Sequence, residues 1–318
     1  IPEYFTDGLT EELITTLGRV DGMRVIGRKS SFYYKDSNED LRIIGATLGV
    51  RYAVEGCVRK EGRSVRITAH LLDTASRFQV WSGTFDRDFE NIIDLQDDVA
   101  VSISRALQTT LGRPFTVTGR ADRSLAQSAN PEAYRLYLMG QYHLHRYDFP
   151  KAYAHLQEAI ALDPHFAPAQ VAMAGWYGAM TFFGAFTPRE GYAKIADQLA
   201  LLQGSDRTRE GLYRPLAEMH YYFDWDWPKA EAAFEKAIEV MPNDAHSYQL
   251  YAWYLMAMGR YEEAETVINQ GLRLEPLSPA MYLTASNLFY FLNMHEKAIR
   301  LNQEALELNP EDPLALSQ

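Results

Sequence analysis

A period of 34 residues constrains this chain more than any other feature of its sequence. Three prolines lie 34 residues apart, and three alanines keep the same interval: Pro242, Pro276, Pro310, Ala230, Ala264 and Ala298. The text before each proline also recurs, as PKAEAAFEKAIEVMP, YEEAETVINQGLRLEP and HEKAIRLNQEALELNP. A fixed period with small and helix-ending residues at constant offsets predicts one structural unit repeated along the chain.

A period of 34 with these offsets is typical of tetratricopeptide repeats, whose unit is two antiparallel helices. One helix pair cannot bury its apolar stripe alone, so neighbouring pairs stack into a superhelix with a concave face. We expect four clear repeats and one degenerate one. Their approximate ranges are 131–164, 166–205 (degenerate), 209–242, 243–276 and 277–310.

The first 112 residues follow other patterns. Leucines and a phenylalanine at four-residue spacing over residues 5–19 predict a helix, with Thr6 or Asp7 as the cap of its start and Gly18 at its end. The run Met23–Gly27 is short, apolar and β-prone, which predicts a buried strand.

Two further helices are predicted in this part of the chain. Ser37 and Asp40 form a start like a capping box for a helix over Leu41–Leu48, and Gly49 ends it. A longer helix is expected over residues 91–111, with apolar residues along one side.

Between these helices the period changes to two. Alternation of apolar and polar residues predicts an antiparallel meander of three strands, the third near residues 78–85, with one buried and one polar face. The apolar alternating residues of the first two strands are Tyr52, Val54, Gly56, Val58, Val65, Ile67, Ala69 and Leu71.

These elements predict the fold class and the domains. Residues 1–112 should form an α+β domain, a mixed sheet with an antiparallel meander and flanking helices. The polar stretch 113–130 is expected to be a linker, and residues 131–318 an all-α solenoid of repeats.

The net charge of -11 lies mostly in the array: residues 1–120 hold 16 basic and 17 acidic residues, which leaves 15 basic and 25 acidic residues for the remainder. An acidic array repels phosphate backbones, so binding of nucleic acid by the repeats is not expected.

The sequence offers no catalytic constellation. Phosphate-loop, dinucleotide-binding, zinc-protease and serine-hydrolase motifs are all missing from it. His143 and His145 lie two apart on a helix, point to different faces and cannot chelate one metal together, and His143 is expected to pack between paired helices. Asp224 and Asp226 are interpreted as turn residues that cap the helix beginning near Pro228. We therefore predict no enzyme, no cofactor and no metal.

Two features of the meander are also interpreted structurally. Cys57 is the one cysteine and, on an alternating strand, is expected to be a small packed residue. The basic residues Arg59, Lys60, Arg63 and Arg66 are expected at a solvated hairpin tip.

The concave face of the array is the candidate binding site. The first helix of each repeat lines this face, and alignment of the repeats on their closing prolines identifies the side chains on it. They are Tyr134, Tyr137, Gln141, Leu144, Met219, Tyr222, Gln249, Trp253, Met256, Leu283, Asn287 and Tyr290. Such an aromatic surface suits an extended peptide or an amphipathic helix, because ring burial supplies much of the affinity at interfaces. Alternatively, some of these rings fill the core between repeats.

The text EYFTDGLTEELITTL, MRVIGRKSSFYYK, LGVRYAVEGCVRKEGRSVRITAHLLDTAS and IIDLQDDVAVSISRAL resembles the TolB amino-terminal-like, or FlgO-like, domain of bacterial proteins. With the repeats, and with YFDWDWPKAEAAFEKAIEVMPND and GLRLEPLSP, the chain resembles the regulatory half of bacterial adenylate cyclases and of winged-helix regulators of the CadC type. The resemblance implies an output domain upstream in the same polypeptide. The known repeat clamp for a peptide carboxyl terminus uses Lys, Asn and Arg, whereas this chain has Tyr137, Gln141, Gln249 and Trp253, which disfavours that ligand.

The sequence thus predicts a sensor or scaffold that binds a protein or peptide partner in the repeat groove. One alternative is assembly, in which the α+β domain pairs with a second copy to form a homodimer. Another is an enzyme with an unrecognised site at the domain junction. Membrane insertion by this region is not expected, because no apolar run approaches about 20 residues. The location would be cytoplasmic, or periplasmic if a transmembrane helix precedes residue 1.

Overall fold

The computed structural model describes residues 2–18, 20, 22–61, 64–88, 92–112, 130–200, 202, 210–310 and 313–316. These residues fall into two compact units. Unit 1 contains residues 1–23, 54–72 and 79–233, and unit 2 contains residues 24–53, 73–78 and 234–318. The predicted linker at 113–130 lies almost wholly outside the described residues, and the predicted domain limits stay a prediction.

Fifteen helices and three strands make up the described residues. In chain order they are α1 (Glu3–Gly18), α2 (Arg28–Tyr33), α3 (Leu41–Leu48), β1 (Tyr52–Glu61), β2 (Ser64–Asp73), β3 (Gln79–Asp88), α4 (Ile92–Leu111), α5 (Pro131–His145), α6 (Phe149–Leu162), α7 (Ala167–Phe182), α8 (Pro188–Ala200), α9 (Tyr213–Met219), α10 (Trp227–Val240), α11 (Ala245–Ala257), α12 (Tyr261–Leu274), α13 (Pro279–Phe291), α14 (His295–Leu308) and α15 (Pro313–Leu316). A 3₁₀ turn at Glu210–Leu212 precedes α9, and a π-helical turn at His220–Asp224 follows it. The predicted fold class is confirmed: a small antiparallel sheet with helices comes first, and helix pairs of the repeat type follow.

The sheet of unit 1 is antiparallel, in the order β1-β2-β3. The alternation predicted for β2 is confirmed, because Val65, Ile67, Ala69 and Leu71 are buried and the residues between them are not. Ile67 lies opposite Phe85, and Arg66 lies opposite Asp86. Helix α4 packs on β3, and its Val99 and Ile103 are fully buried. The helix predicted at 91–111 and the three predicted strands are therefore confirmed.

Strand β1 differs from its predicted pattern. Val54 is 41% exposed, and Gly56 and Cys57 are also exposed, so neither side of the strand centre forms a buried face. The interpretation of Cys57 as a packed residue is wrong. The reason is position: β1 is an outer strand of the sheet, while α4 packs on β3 at the other edge.

Helix pairs form the remainder of unit 1. Helices α5 and α6 pack together where Gly140 meets Leu156, and an added Cβ at Gly140 would lie 2.7 Å from Leu156 Cδ2. Helices α7 and α8 form the next pair around the buried residues Ala174, Ile195 and Leu199. The first repeat and the degenerate unit thus contain the helices predicted for them.

Unit 2 contains two more pairs, α11 with α12 and α13 with α14. The small residues that mark the period are buried on the second helices: Ala264 is fully buried and Ala298 is 6% exposed. The rings of Phe234 and Tyr251 stack with centroids 5.7 Å apart. The period read from the sequence therefore corresponds to helix pairs in these residues.

Residues 24–53 of unit 2 correct one sequence prediction and contain one helix that was not predicted. The run Met23–Gly27 is not a strand. The amide of Val25 donates to Asn243 Oδ1 at 3.0 Å, and the amide of Gly27 donates to the carbonyl of Leu274 at 2.8 Å. Helical repeats, and not a neighbouring strand, therefore satisfy this backbone. The short helix α2 follows, which the sequence analysis did not predict.

Helix limits at the start of the chain are adjusted slightly. Helix α1 begins at Glu3, so Thr6 and Asp7 lie inside it and do not cap it. Helix α3 has its predicted limits, with Gly49 in the left-handed conformation at its end. Asp40 alone caps its start by accepting a hydrogen bond from the amide of Arg42 at 2.9 Å, so the predicted capping box is replaced by this simpler cap.

In the part of the chain that the structure describes, no helix is both long enough and apolar enough to span a bilayer.

Candidate functional site

The twelve predicted groove residues lie on the first helices of the pairs, or on the turn that continues one of them. Helix α5 carries four, α9 and the π-helical turn carry two, and α11 and α13 carry three each. Their environments differ widely between the two units. The binding role of the set stays a prediction, and the contacts below show what each side chain does.

On α5, the predicted face packs against helix α1 of the same unit. Tyr134 and Tyr137 are 2% and 7% exposed. Tyr137 Oη donates a hydrogen bond to Glu12 Oε1 on α1 at 3.2 Å. Burial, and then the nearby Glu12 carboxylate, raise the pKa of Tyr137 well above its usual range, so the phenol stays a neutral donor. Gln141 is half-buried.

Further contacts bring α1 close to α5. Tyr142 Oη donates to Glu3 Oε2 at 2.9 Å, and His145 Nδ1 lies 3.3 Å from Glu11 Oε2. A Cβ added at Gly8 would lie 2.8 Å from Leu138 Cδ2, so a glycine permits this close approach. The sequence analysis missed this contact; its one signal was a glycine inside the pattern of α1.

In unit 2, α11 and α13 lie side by side. Gln249 Nε2 on α11 donates to the carbonyl of Ala280 and to Thr284 Oγ1 on α13, both at 3.1 Å. Met256 and Leu283 are each 5% exposed and belong to the packed interior.

Some side chains on α11 and α13 remain accessible to solvent. Trp253 and Asn287 are half-buried, and Tyr290 is 60% exposed. We call Trp253, Asn287 and Tyr290 the first-helix face of unit 2. Phe291, the last residue of α13, and Met294 in the turn after it are each 48% exposed, and the sequence alignment identified neither of them.

Met219 is the last residue of α9, and Tyr222 lies in the π-helical turn that follows it, before α10. Met219 is half-buried against the cluster that contains Leu212, and the ring of Tyr222 stacks on that of Tyr192 with centroids 6.4 Å apart. Tyr222 remains 45% exposed. Leu144, the last residue of the predicted set, is half-buried on α5.

The two aspartates near the aromatic run have separate partners. Asp226 accepts from the amide of Lys229 at 3.3 Å and pairs with Lys229 Nζ at 2.7 Å, and this hydrogen bond lowers the pKa of the Asp226 carboxyl. Asp226 is therefore a cap of α10, as predicted. Asp224 is not a cap, because its Oδ2 lies 2.7 Å from His220 Nδ1. Two carboxylates with separate partners do not form an acid–base pair.

His143 packs between the paired helices α5 and α6, as predicted. The ring of His143 stacks on that of His155 on α6 at 5.4 Å, while His145 faces Glu11. Among the described residues, no group of three or more His, Cys, Asp or Glu side chains is placed to hold a metal ion.

The hairpin cations are only partly described. Arg59 is exposed, and Arg66 Nε pairs with Asp86 Oδ1 of β3 at 2.7 Å, with about half of each side chain in solvent. The side chain of Lys60 and all of Arg63 lie outside the described residues.

Comparison with known proteins supports the repeat assignment directly. Residues 226–288 match the family model of the tetratricopeptide repeat. Over 173 residues the chain is 34% identical to "Putative adenylate cyclase 3" of Rhizobium meliloti (strain 1021), covering 54% of this chain and 29% of that protein. Over 189 residues it is 25% identical to the transcriptional regulator HilA of Salmonella paratyphi A (strain ATCC 9150 / SARB42), covering 57% of this chain and 34% of HilA. The chain thus spans about a third of the length of these curated relatives.

Similar solved structures include a tetratricopeptide repeat protein from Parabacteroides merdae ATCC 43184, at 14% identity and a TM-score of 0.45, covering 72% of this chain and 80% of that one. PilF of Pseudomonas aeruginosa matches at 16% identity and a TM-score of 0.44, covering 58% of this chain and 80% of its own. Residues 226–288 therefore match the tetratricopeptide repeat, and the helix pairs described above are of the same two-helix type.

Proposed function

We propose that this chain is a non-catalytic sensor or scaffold region of a bacterial signalling protein, and that it binds a protein or peptide partner through the first helices of its repeats. The observation that carries the proposal is the first-helix face of unit 2. Tyr290 on α13 keeps 60% of its surface exposed, and the half-buried Trp253 lies on α11, which Gln249 joins to α13 by two hydrogen bonds. Exposed rings on a rigid helical surface are the usual anchors of a peptide interface.

The regulatory setting is proposed from the relatives. One is named as an adenylate cyclase and others as transcriptional regulators, and the matched region is about a third of each. An output domain in the same polypeptide would fit both names. The TolB amino-terminal-like character of residues 1–112 belongs to the same proposal and rests on the sequence text quoted above.

Selection from a random peptide library displayed on phage tests the binding face. The wild-type chain should enrich one class of peptide, and the Tyr290→Ala variant should lose most of the affinity for it, about tenfold or more. Ile299→Ala is the matched control, since Ile299 is 58% exposed on the second helix of the same pair. Equal enrichment by wild type and Tyr290→Ala, with both folded by circular dichroism, would refute the assignment of this face.

A second candidate, homodimerisation through the sheet, is favoured by strand β1. Within the described residues β1 pairs only with β2, and its face carries the exposed series Glu55, Cys57 and Arg59. Antiparallel pairing of two copies about Cys57 would place Glu55 opposite Arg59, and a free strand edge invites such pairing. Mild oxidation should then cross-link the chain through Cys57, and light scattering before oxidation should already show a dimer. A monomer at all concentrations would remove this candidate.

A further inference from the structure

Five turns between consecutive helices of the array each contain one residue with positive φ. These residues are Tyr147 (59°), Gly184 (77°), Trp225 (55°), Gly259 (72°) and Asn293 (59°). Glycine adopts this left-handed conformation without strain, and asparagine tolerates it. Tyr147 and Trp225 do neither, because a bulky side chain in this region crowds its own backbone. Two of the turns therefore hold a large ring where another pair of this same chain uses glycine.

Burial does not offset this strain. Tyr147 is 68% exposed and Trp225 is 71% exposed. A ring that mostly faces solvent gains little from packing, so the fold gives no reason for an aromatic residue at either position. Strained backbone that brings no packing in return is characteristic of sites that contact a ligand.

The two turns also share a five-residue pattern of aromatic, Asp, aromatic, Pro, Lys. It reads Tyr147 to Lys151 at the start of α6 and Trp225 to Lys229 at the start of α10. The structures agree: the Tyr147 and Phe149 centroids lie 6.0 Å apart, and the two tryptophan centroids lie 6.4 Å apart. Each turn thus presents two rings beside each other, and we call these the two ring pairs.

Neighbouring phenylalanines extend the first ring pair. Phe149 contacts Phe183 of the second turn at 5.5 Å, and Phe183 contacts Phe182 at 5.4 Å. Phe182 and Phe183 are 76% and 59% exposed. The first two turns of unit 1 therefore share one accessible aromatic surface.

The charge around the ring pairs restricts the chemical class of ligand that they can bind. The aspartate inside each pattern is neutralised by its own lysine, Asp148 by Lys151 at 2.8 Å and Asp226 by Lys229 at 2.7 Å. Within each five-residue pattern the charges therefore cancel, and the chain as a whole carries -11. Anionic lipid and nucleic acid do not complement such a surface. An uncharged ligand with flat apolar faces does.

Proline-rich segments have this chemistry. Their extended polyproline conformation exists before binding, and grooves lined by aromatic rings accept it. We propose that the two ring pairs, Tyr147 with Phe149 and Trp225 with Trp227, bind an uncharged proline-rich segment of a protein partner. This goes beyond the proposed function, because it concerns a different surface from the first-helix face of unit 2.

Decaproline is the probe for this site. The intact chain, labelled with nitrogen-15, is titrated with blocked decaproline while the indole signals of its five tryptophans are followed. The signals of Trp225 and Trp227 should shift and saturate, while those of Trp81, Trp176 and Trp253 stay in place. A Gly-Ser peptide of equal length is the control and should shift none of them.

Variants separate a binding role from a structural one. Trp225→Asn and Tyr147→Asn remove a ring and suit the left-handed backbone, so both should keep the fold. Trp225→Asn should weaken decaproline binding about tenfold or more, as expected for loss of an aromatic anchor. The proposal is overturned if decaproline causes no saturable shift, if the Gly-Ser peptide acts equally, or if Trp225→Asn binds as wild type does. It is also overturned if neutral phosphatidylcholine vesicles or a second copy, and not decaproline, perturb these indoles. Failure of the phage selection to find peptides that depend on Tyr290 would refute the first-helix face of unit 2 and would not affect the proposal for the two ring pairs.

Discussion

Glu275 caps helix α2 from a position 245 residues further along the chain, through its contact with Ser30. The buried carboxylate accepts hydrogen bonds from the amides of Lys29 at 3.0 Å and Ser30 at 2.7 Å. The hydroxyl oxygen of Ser30 in turn accepts a hydrogen bond from the amide of Leu277 at 2.9 Å. Gly27 leaves the space that the carboxylate occupies, since a Cβ there would collide with Glu275 Oε1. The repeat turn therefore holds residues 27–30 within unit 2.

Replacement of Glu275 should lower the stability of unit 2. Glu275→Ala leaves the buried amide of Ser30 and the partly buried amide of Lys29 without their acceptor, and we expect a loss of about 1–3 kcal/mol in the free energy of unfolding. Urea titration followed by circular dichroism measures this. Glu307→Ala, on the exposed side of α14, is the control and should stay within about 0.5 kcal/mol of wild type. Equal stability of Glu275→Ala and Glu307→Ala would contradict the capping role.

Two helix glycines should respond to substitution with opposite signs. An added Cβ at Gly140 meets Leu156 at 2.7 Å, whereas one at Gly175 on α7 meets nothing within 4 Å. Gly140→Leu should destabilise the chain by about 1–3 kcal/mol through overpacking between α5 and α6. Gly175→Ala should stabilise it by up to about 1 kcal/mol, the difference in helix propensity. Thermal unfolding of both variants tests the pairing of α5 with α6, and two changes of the same sign would argue against it.

Asp40 should titrate far below an ordinary aspartate. The side-chain and backbone hydrogen bonds from Arg42 lower its pKa from 3.8 to about 2. Because the folded pKa is depressed, its contribution to stability is present above pH 3.8 and is lost as the pH falls through about 2. Carboxyl carbon-13 NMR should show this midpoint, and Arg42→Gln should move it upward. A wild-type midpoint near 4 would mean that the cap of α3 is not formed in solution.

Local patterns predicted those elements whose partners are near in sequence. The alternation of β2 and the limits of α3 follow from residues within a few positions of one another. The 34-residue period predicts the helix pairs. Each of these is stabilised by its own neighbours, so the sequence is sufficient to locate it.

Elements with distant partners could not be found this way. Val25 and Gly27 look like a strand, yet their amides bond to Asn243 and to Leu274. Helix α2 has no local side-chain cap and depends on Glu275. The same limit applies to the candidate site: alignment placed Tyr137 on the correct helix, but only the fold shows that Glu12 of α1 covers it. Contacts with a segment that is distant in sequence leave no periodic pattern near the buried residue, so the sequence pattern does not predict them.

The left-handed turns allow a last prediction on stability, separate from binding. A bulky L-residue in this conformation costs about 1–2 kcal/mol relative to glycine, and asparagine tolerates it better. Tyr147→Asn and Trp225→Asn should therefore leave the free energy of unfolding unchanged or raise it by up to about 1 kcal/mol, although each removes a large ring. The reciprocal change, Gly259→Ala, should lower it by about 1 kcal/mol, because Gly259 has φ 72° and nothing within 4 Å that a methyl group could contact. Urea unfolding of the three variants measures the difference. A clear loss of stability in Tyr147→Asn and Trp225→Asn would mean that the rings hold the turns together. Unchanged stability would mean that the rings do not stabilise the turns, and increased stability would mean that the chain keeps them at a cost to its own fold, as residues retained for contact with a partner would be.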